Sequence, residues 1–346
     1  MATRVSKKNR IPPPISSGQT VSEAFGTILR HRFDYMLSWE EAARSWMRIE
    51  GVHQTRVSCR GMRSAMRIFR YAIPSRVCKP WADELRWAGG ELGLARDLDV
   101  FISEALSHLR GRLPLPGERK IKRLAEHHRA QAYEAVNAML DSDRYNKFKE
   151  DYSRWVEAAG WEDWEITNND RKKEEKQRRR LTENVVPFAS KVINKQEQRV
   201  LKMGTDMDRD SAEEMHRFRI ECKKLRYAAE SFTTIFDGMH KYIHHMKGLQ
   251  DLLGVMNDVA VTNRLLGQIL KGEKDSDVLR YAGGVIGWRT RQYHEYKKTF
   301  DDHWEEFVYA RHPWRNNSAL TKKKDGPKRP SVSRNPQPGG VGRNSA

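Results

Sequence analysis

Apolar residues recur at steps of three and four along most of this chain, the period of an α-helix with one buried face. AFGTILRHRFDYML (24–37), KPWADELRWAGGELG (79–93) and the long stretch from Glu118 to Glu157 all follow it, while alternation of period two is scarce. The pattern predicts an all-α protein. Three segments fall outside it. Residues 1–20 are basic and proline-rich, and residues 313–346 combine Lys322, Lys323, Lys324, Lys328, Arg329, Arg334 and Arg343 with Gly, Pro, Ser and Asn. Both are expected to be disordered extensions. Residues 167–183, containing DRKKEEKQRRR, show no apolar face and are expected to form a charged linker between helical regions at 21–166 and 184–312.

One predicted helix carries a second stripe. In HQTRVSCRGMRSAMRIFR (53–70), His53, Arg56, Arg60, Arg63, Arg67 and Arg70 follow steps of 3, 4, 3, 4 and 3. At 100° per residue they share an arc of about 100°. Val57, Gly61, Met62, Ala65, Ile68 and Phe69 take the opposite side, and no Asp or Glu occurs between Gly51 and Ala82. Like charges one turn apart repel, and a merely solvated face interleaves both signs, so the stripe points to an external anion.

The formal net charge of +18 over 346 residues widens that argument to the whole molecule. It favours a polyanionic partner: nucleic acid, polyphosphate or an anionic membrane surface. Three cysteines, Cys59, Cys78 and Cys222, are too few for a disulfide framework and fit a reducing compartment. No apolar signal core opens the chain and no run of 18 apolar residues occurs, so the expectation is a cytoplasmic protein with no membrane span.

The stripe has a copy. A shift of 163 residues lays HQTRVSCRGMR on HRFRIECKKLR, matching His53 to His216, Arg56 to Arg219, Arg60 to Lys223 and Arg63 to Arg226. A shift of 161 lays LGLARD (92–97) on LGVMND (253–258), and Arg86 on Lys247. The order of elements is therefore duplicated, which predicts two similar helical bundles. The second stripe is less pure: Glu230 stands where the first has Arg67, and Lys224 falls off the arc.

HQTRVSCRGMR, ELGLARDLDV, MHRFRIECKKLRY, LQDLLGVMNDV and AGGVIGW, in this order over about residues 20–312, resemble the CHAD domain, the conserved histidine α-helical domain. The resemblance implies two four-helix bundles related by a pseudo-twofold axis, with long antiparallel helices around a basic central groove or pore that binds inorganic polyphosphate. It also implies that His53, Arg56, Arg60, Arg63 and Arg67 face His216, Arg219, Lys223 and Arg226 across that groove, with Arg86 and Lys247 on its flanks. Independently, a stripe from residue 53 to 70 extends about 25 Å, a length suited to a linear polyanion. A groove of this kind fits either a polyphosphate-granule-associated or a regulatory protein.

Other chemistries find less support in the same residues. Glu-x-Glu-x-Lys, GxxxxGK[ST] and HExxH are absent, and no cofactor is called for, so a non-catalytic binding module is expected. His53 and His216 read as phosphate donors at the heads of the stripes rather than as phospho-accepting nucleophiles. Asp97 and Asp258 read as supports that orient arginines or cap helices rather than as metal ligands or bases. His127, His128, His240, His244 and His245 lack a matching set of metal-ligating neighbours. Cys59 and Cys222 suit packing. Trp39, Trp46, Trp81, Trp87, Trp288 and Trp304 fall at helical spacing and read as core. The chief rival is a nucleic-acid binder, but Phe69 and Tyr227 lie off the basic arcs, which leaves phosphate contacts alone, above all through the basic tails. A polyphosphate- or nucleotide-hydrolysing enzyme is the second rival.

Overall fold

The first and ninth helices begin side by side, and local chemistry sets both starts. Thr20 and Glu23 form a capping box at the head of α1 (Val21–Ser38), each side chain accepting the other's backbone N–H. Asn184 caps α9 (Val185–Asp206) by accepting from the Val186 N–H at 2.9 Å. Between the two caps, Val21 N donates to Glu183 O and Val185 N to Gln19 O, so the start of one half is tied to the start of the other.

The computed structural model describes residues 12–315. After α1 come α2 (Glu40–Ala43), α3 (Glu50–Ile68) and α4 (Ser75–Val100), which passes through a π-helical turn at Phe101–Leu106 into α5 (Ser107–Leu109). Then follow α6 (Glu118–Asp141), α7 (Asp143–Glu157) and α8 (Arg171–Leu181). Beyond α9 lie α10 (Ala212–Ser231), α11 (Met239–Ile269), α12 (Ser276–Lys298) and α13 (Phe300–Val308). The protein is all-helical, and among the described residues there is no strand.

The duplication is visible in the packing. In the first half α1 packs on α3, α3 on α4 and α4 on α6; in the second, α9 packs on α10, α10 on α11 and α11 on α12. Each helix also meets its counterpart: α1 touches α9, α3 touches α10, α4 touches α11 and α6 touches α12. The apolar side of the first stripe helix is core throughout, with Val57, Met62, Ala65, Ile68 and Phe69 buried. Phe69 lies at the junction of the halves, its ring 4.8 Å from Phe25, 5.1 Å from Phe188 and 6.0 Å from Phe232.

Three boundaries expected from the sequence are corrected. Within the supposed N-terminal extension, Ile15 is buried and its carbonyl accepts from Thr234 Oγ1 at 2.7 Å, so the chain is anchored before Thr20. At the other end, Trp314 is buried against Tyr242, and His312 and Arg315 both pair with the buried Glu197, so the second half runs past 313. Residues 1–11 and 316–346, where most of the expected extensions fall, lie outside the described residues.

The third correction concerns 167–183, which is a docked helix rather than a bare linker. Its buried side is polar except for Leu181, which is why no apolar stripe announced it. Glu174 takes an ion pair from Arg76 at 3.0 Å and the Thr167 N–H at 2.9 Å. Gln177 donates to the carbonyl of Arg70, and Arg180 to that of Tyr71, each at 2.7 Å. Helix α8 therefore satisfies carbonyls left open where α3 ends, and so holds the end of the cationic helix in place. The tryptophans divide: Trp304 is buried and Trp81, Trp87 and Trp288 pack partly buried on the core, but Trp46 is 40% exposed beside Arg129.

Candidate anion-binding groove

Helices α3 and α10 pack against each other, and the two cationic stripes meet along that contact. Arg60 on α3 lies within electrostatic reach of both Arg219 and Lys223 on α10. Burial is the first cause that holds Arg56 and Arg219 below the usual guanidinium range, and the charge of Arg60 adds to it in both. Lys223 is affected most: burial, then Arg219, Arg60 and Arg226, push it from 10.5 to about 7. The free protein thus stores positive charge under strain at the point where its halves join.

Beside this junction, a cavity of about 590 Å³ opens between α3, α4 and α10. Arg60, Arg63, Arg67, Arg86 and Lys223 line it, as do Arg70 and Lys79. Arg56 and Arg219 reach it through Arg60 rather than at its wall. His53 lies one turn before Arg56, half-buried, and His216 is exposed; neither borders the cavity. Arg226 stands behind Lys223, where Glu230 takes an ion pair from it at 3.5 Å. Lys247 is exposed on α11 and does not join the other cations at this wall, despite its correspondence with Arg86.

Three features of the groove are not anticipated by the stripes. Lys224, one step off the arc, lines the wall, held by an ion pair to Glu221. Tyr227 also borders the cavity, so an aromatic does reach it; the side chain is only 7% exposed and lies 5.7 Å from the Arg226 guanidinium, which leaves little ring for a base to stack on. Asp83 sits just beyond the carboxylate-free stretch and pairs with both Lys79 and Arg86; Lys79 is the leading cause that lowers its pKa. The Lys79–Asp83–Arg86 spacing of four and three was a readable signal for all three on one face of α4. Away from the cavity wall, Arg289 on α12 is buried, and Asp258, which also acts on Arg219 and Lys223, acts on it electrostatically, as does Glu104.

The paired Leu-Gly-x-x-x-Asp motifs bring their aspartates within reach of cations of the two stripes. Asp97 forms an ion pair with Arg264 of α11, a bond between the halves, and its charge acts on Arg56. Asp258 acts on Arg219, Lys223 and Arg289. Gly93 has a visible purpose: a β-carbon there would stand 2.7 Å from Arg56 Nη1, so its absence lets that guanidinium lie against α4. At Gly254, its counterpart, a β-carbon would meet no heavy atom within 4 Å.

Cys59 and Cys222 are buried, and desolvation drives the Cys59 thiol up to about 12, so neither offers a ready thiolate. Among the described residues no group of three His, Cys, Asp or Glu side chains is placed to hold a metal ion, and no helix is long and apolar enough to cross a membrane.

Comparison with known proteins agrees with this architecture. The family model described as the CHAD domain matches residues 27–267. The crystal structure of the CHAD domain from the plant Ricinus communis is similar at a TM-score of 0.70 and 25% identity, covering 86% of this chain and 95% of that one. PptA from Streptomyces chartreusis shares the fold at a TM-score of 0.60 and 14% identity, covering 83% of this chain and all of that one, 100%. No curated protein matches the sequence. With the family model matched over more than half the residues, and both cationic helices inside the match, the chain belongs to the CHAD-domain family.

Proposed function

We propose that the protein binds inorganic polyphosphate, with the chain lying along the cations of α3, α4 and α10. The observation that carries this reading is the single cavity that Arg60, Arg63, Arg67 and Arg86 of the first half share with Lys223 of the second. Three guanidiniums and a lysine crowded from both halves are costly to keep together in the free protein, and an anion that neutralises several at once relieves the repulsion. Arginine suits the task because its fork meets phosphate oxygens in bidentate fashion. A linear polyanion can engage Arg60, Lys223, Arg63 and Arg67 in sequence, and affinity then rises with chain length by multivalency. In this reading the protein holds its ligand without transforming it, and acts in the cytoplasm on polyphosphate or at the surface of polyphosphate granules.

Nucleic acid is the competitor to exclude. Labelled long-chain polyphosphate bound to the protein is challenged at fixed salt with tRNA, duplex DNA and short-chain phosphate. The reading predicts that only unlabelled long polyphosphate displaces the label efficiently per phosphate; displacement by tRNA or DNA at equal phosphate concentration would overturn it. Steady phosphate release from polyphosphate or ATP with Mg²⁺ or Mn²⁺, lost in His53→Ala, would instead make the protein an enzyme.

A further inference from the structure

On the far side of Lys224 from the groove lies a second, smaller recess. It is walled by Arg67 and Arg70 from the end of the first cationic helix, Lys195 and Arg199 from α9, and Lys224 from α10, around Tyr71. Arg67, Arg70 and Lys224 border the groove as well, so the recess opens off it. Tyr71 organises the interior: Arg70 donates to its hydroxyl at 3.1 Å, and the Lys195 ammonium stands 4.8 Å from the ring centre. The carboxylate beside the site, Glu221, is already engaged by Lys224 and by Gln196. Five cations thus converge on a space whose own lining carries no carboxylate, with Glu221 offsetting Lys224 from beside it.

Size separates this space from the groove. The recess measures about 40 Å³ against about 590 Å³. A space this small suits a compact group of a few heavy atoms, such as one phosphoryl group, rather than a passing chain flanked on both sides. Charge points the same way. A terminal phosphoryl group carries up to two negative charges near neutral pH, an interior one a single charge, and the density of cations here matches the dianion.

We propose that this recess is an end-binding subsite, which takes the terminal phosphoryl group of a polyphosphate chain lying in the groove. The inference rests on the polyphosphate reading and adds to it a preference for free chain ends. Lys195 and Arg199 line this recess and not the groove, and both are exposed, so their replacement leaves the core and the groove wall intact.

The test compares short polyphosphate with free ends against the same chains capped at both ends as alkyl phosphoramidates, for the wild type and for Lys195→Ala/Arg199→Ala, by calorimetry at fixed salt. Capping is expected to weaken wild-type binding about tenfold, the loss of one or two charge-assisted contacts, and to leave the variant unaffected at the weaker affinity. Equal wild-type affinity for free and capped chains, or a variant that keeps the preference, would overturn the subsite while polyphosphate binding stood. Orthophosphate or pyrophosphate binding to the wild type already saturated with free-ended polyphosphate, and lost in the variant, would also overturn it, since the recess would then serve free phosphate. Absence of any polyphosphate binding by the wild type would instead overturn the reading beneath it.

Discussion

Lys223 couples proton binding to anion binding. Its folded pKa, about 7, lies below its ordinary 10.5, so between those values the unfolded chain holds the proton more firmly and stability of the free protein rises with pH. Polyphosphate favours the charged form, so affinity should fall as pH rises through 7, with proton uptake on binding that calorimetry in buffers of differing ionisation enthalpy would measure. Replacing the ammonium by a neutral chain of similar length separates the two effects. Lys223→Met should raise the unfolding free energy at pH 7 or below by about 1–2 kcal/mol, while weakening polyphosphate binding and flattening its pH profile. A variant less stable than the wild type at pH 6 would show that Lys223 is not under strain.

Gly93 makes a second residue-scale test, because the duplication supplies its control. Alanine in a helix interior is favoured over glycine by about 0.5–1 kcal/mol, so neither Gly93→Ala nor Gly254→Ala should unfold the protein. Only the first meets a side chain, the Arg56 guanidinium, and only the first should weaken polyphosphate binding, by several-fold in a fluorescence titration. Equal binding by both variants would remove Arg56 from the site. The stripe containing Arg56 was legible from spacing alone, whereas the reason for Gly93 was not: it lies in the approach of one helix to another, which spacing within a single helix does not record.

At the scale of elements, α8 shows what hydrophobic periodicity misses. DRKKEEKQRRR has no apolar face because the helix docks through hydrogen bonds and an ion pair, with Glu174 buried under Arg76. Removing the cation leaves a buried carboxylate without its ion-pair partner. Arg76→Ala should therefore cost about 2–3 kcal/mol in urea unfolding, and Arg76→Ala with Glu174→Gln should recover part of it. A loss below about half a kcal/mol would mean that α8 is only loosely held. The same blindness explains Lys224 and Tyr227: a helical wheel gives angles within α10, but the groove wall is set by how α10 packs on its neighbours, so both residues border the groove from off the arc, and Lys224 borders the recess as well.

For the whole molecule, the duplication carried most of the architecture. HQTRVSCRGMR and HRFRIECKKLR lie on helices that pack together, and the Leu-Gly motifs lie on α4 and α11, which also meet. Repetition implied corresponding places in two halves, but not that each helix would touch its own counterpart; that depends on the packing of Phe25, Phe69, Phe188 and Phe232 at the junction. Nor could correspondence place every residue, since Lys247 stays outside the wall that Arg86 joins.

The central claim is that cations from both halves act on one phosphate chain, and Arg60 and Lys223 are the pair that tests it. Affinity for polyphosphate of increasing length is measured at fixed salt for the wild type and for Arg60→Glu/Lys223→Glu, with helicity checked by circular dichroism. The account predicts wild-type affinity that climbs with length, and a loss of about a hundredfold or more for long chains in a variant that remains folded. A folded variant that binds long chains as tightly as the wild type would contradict it.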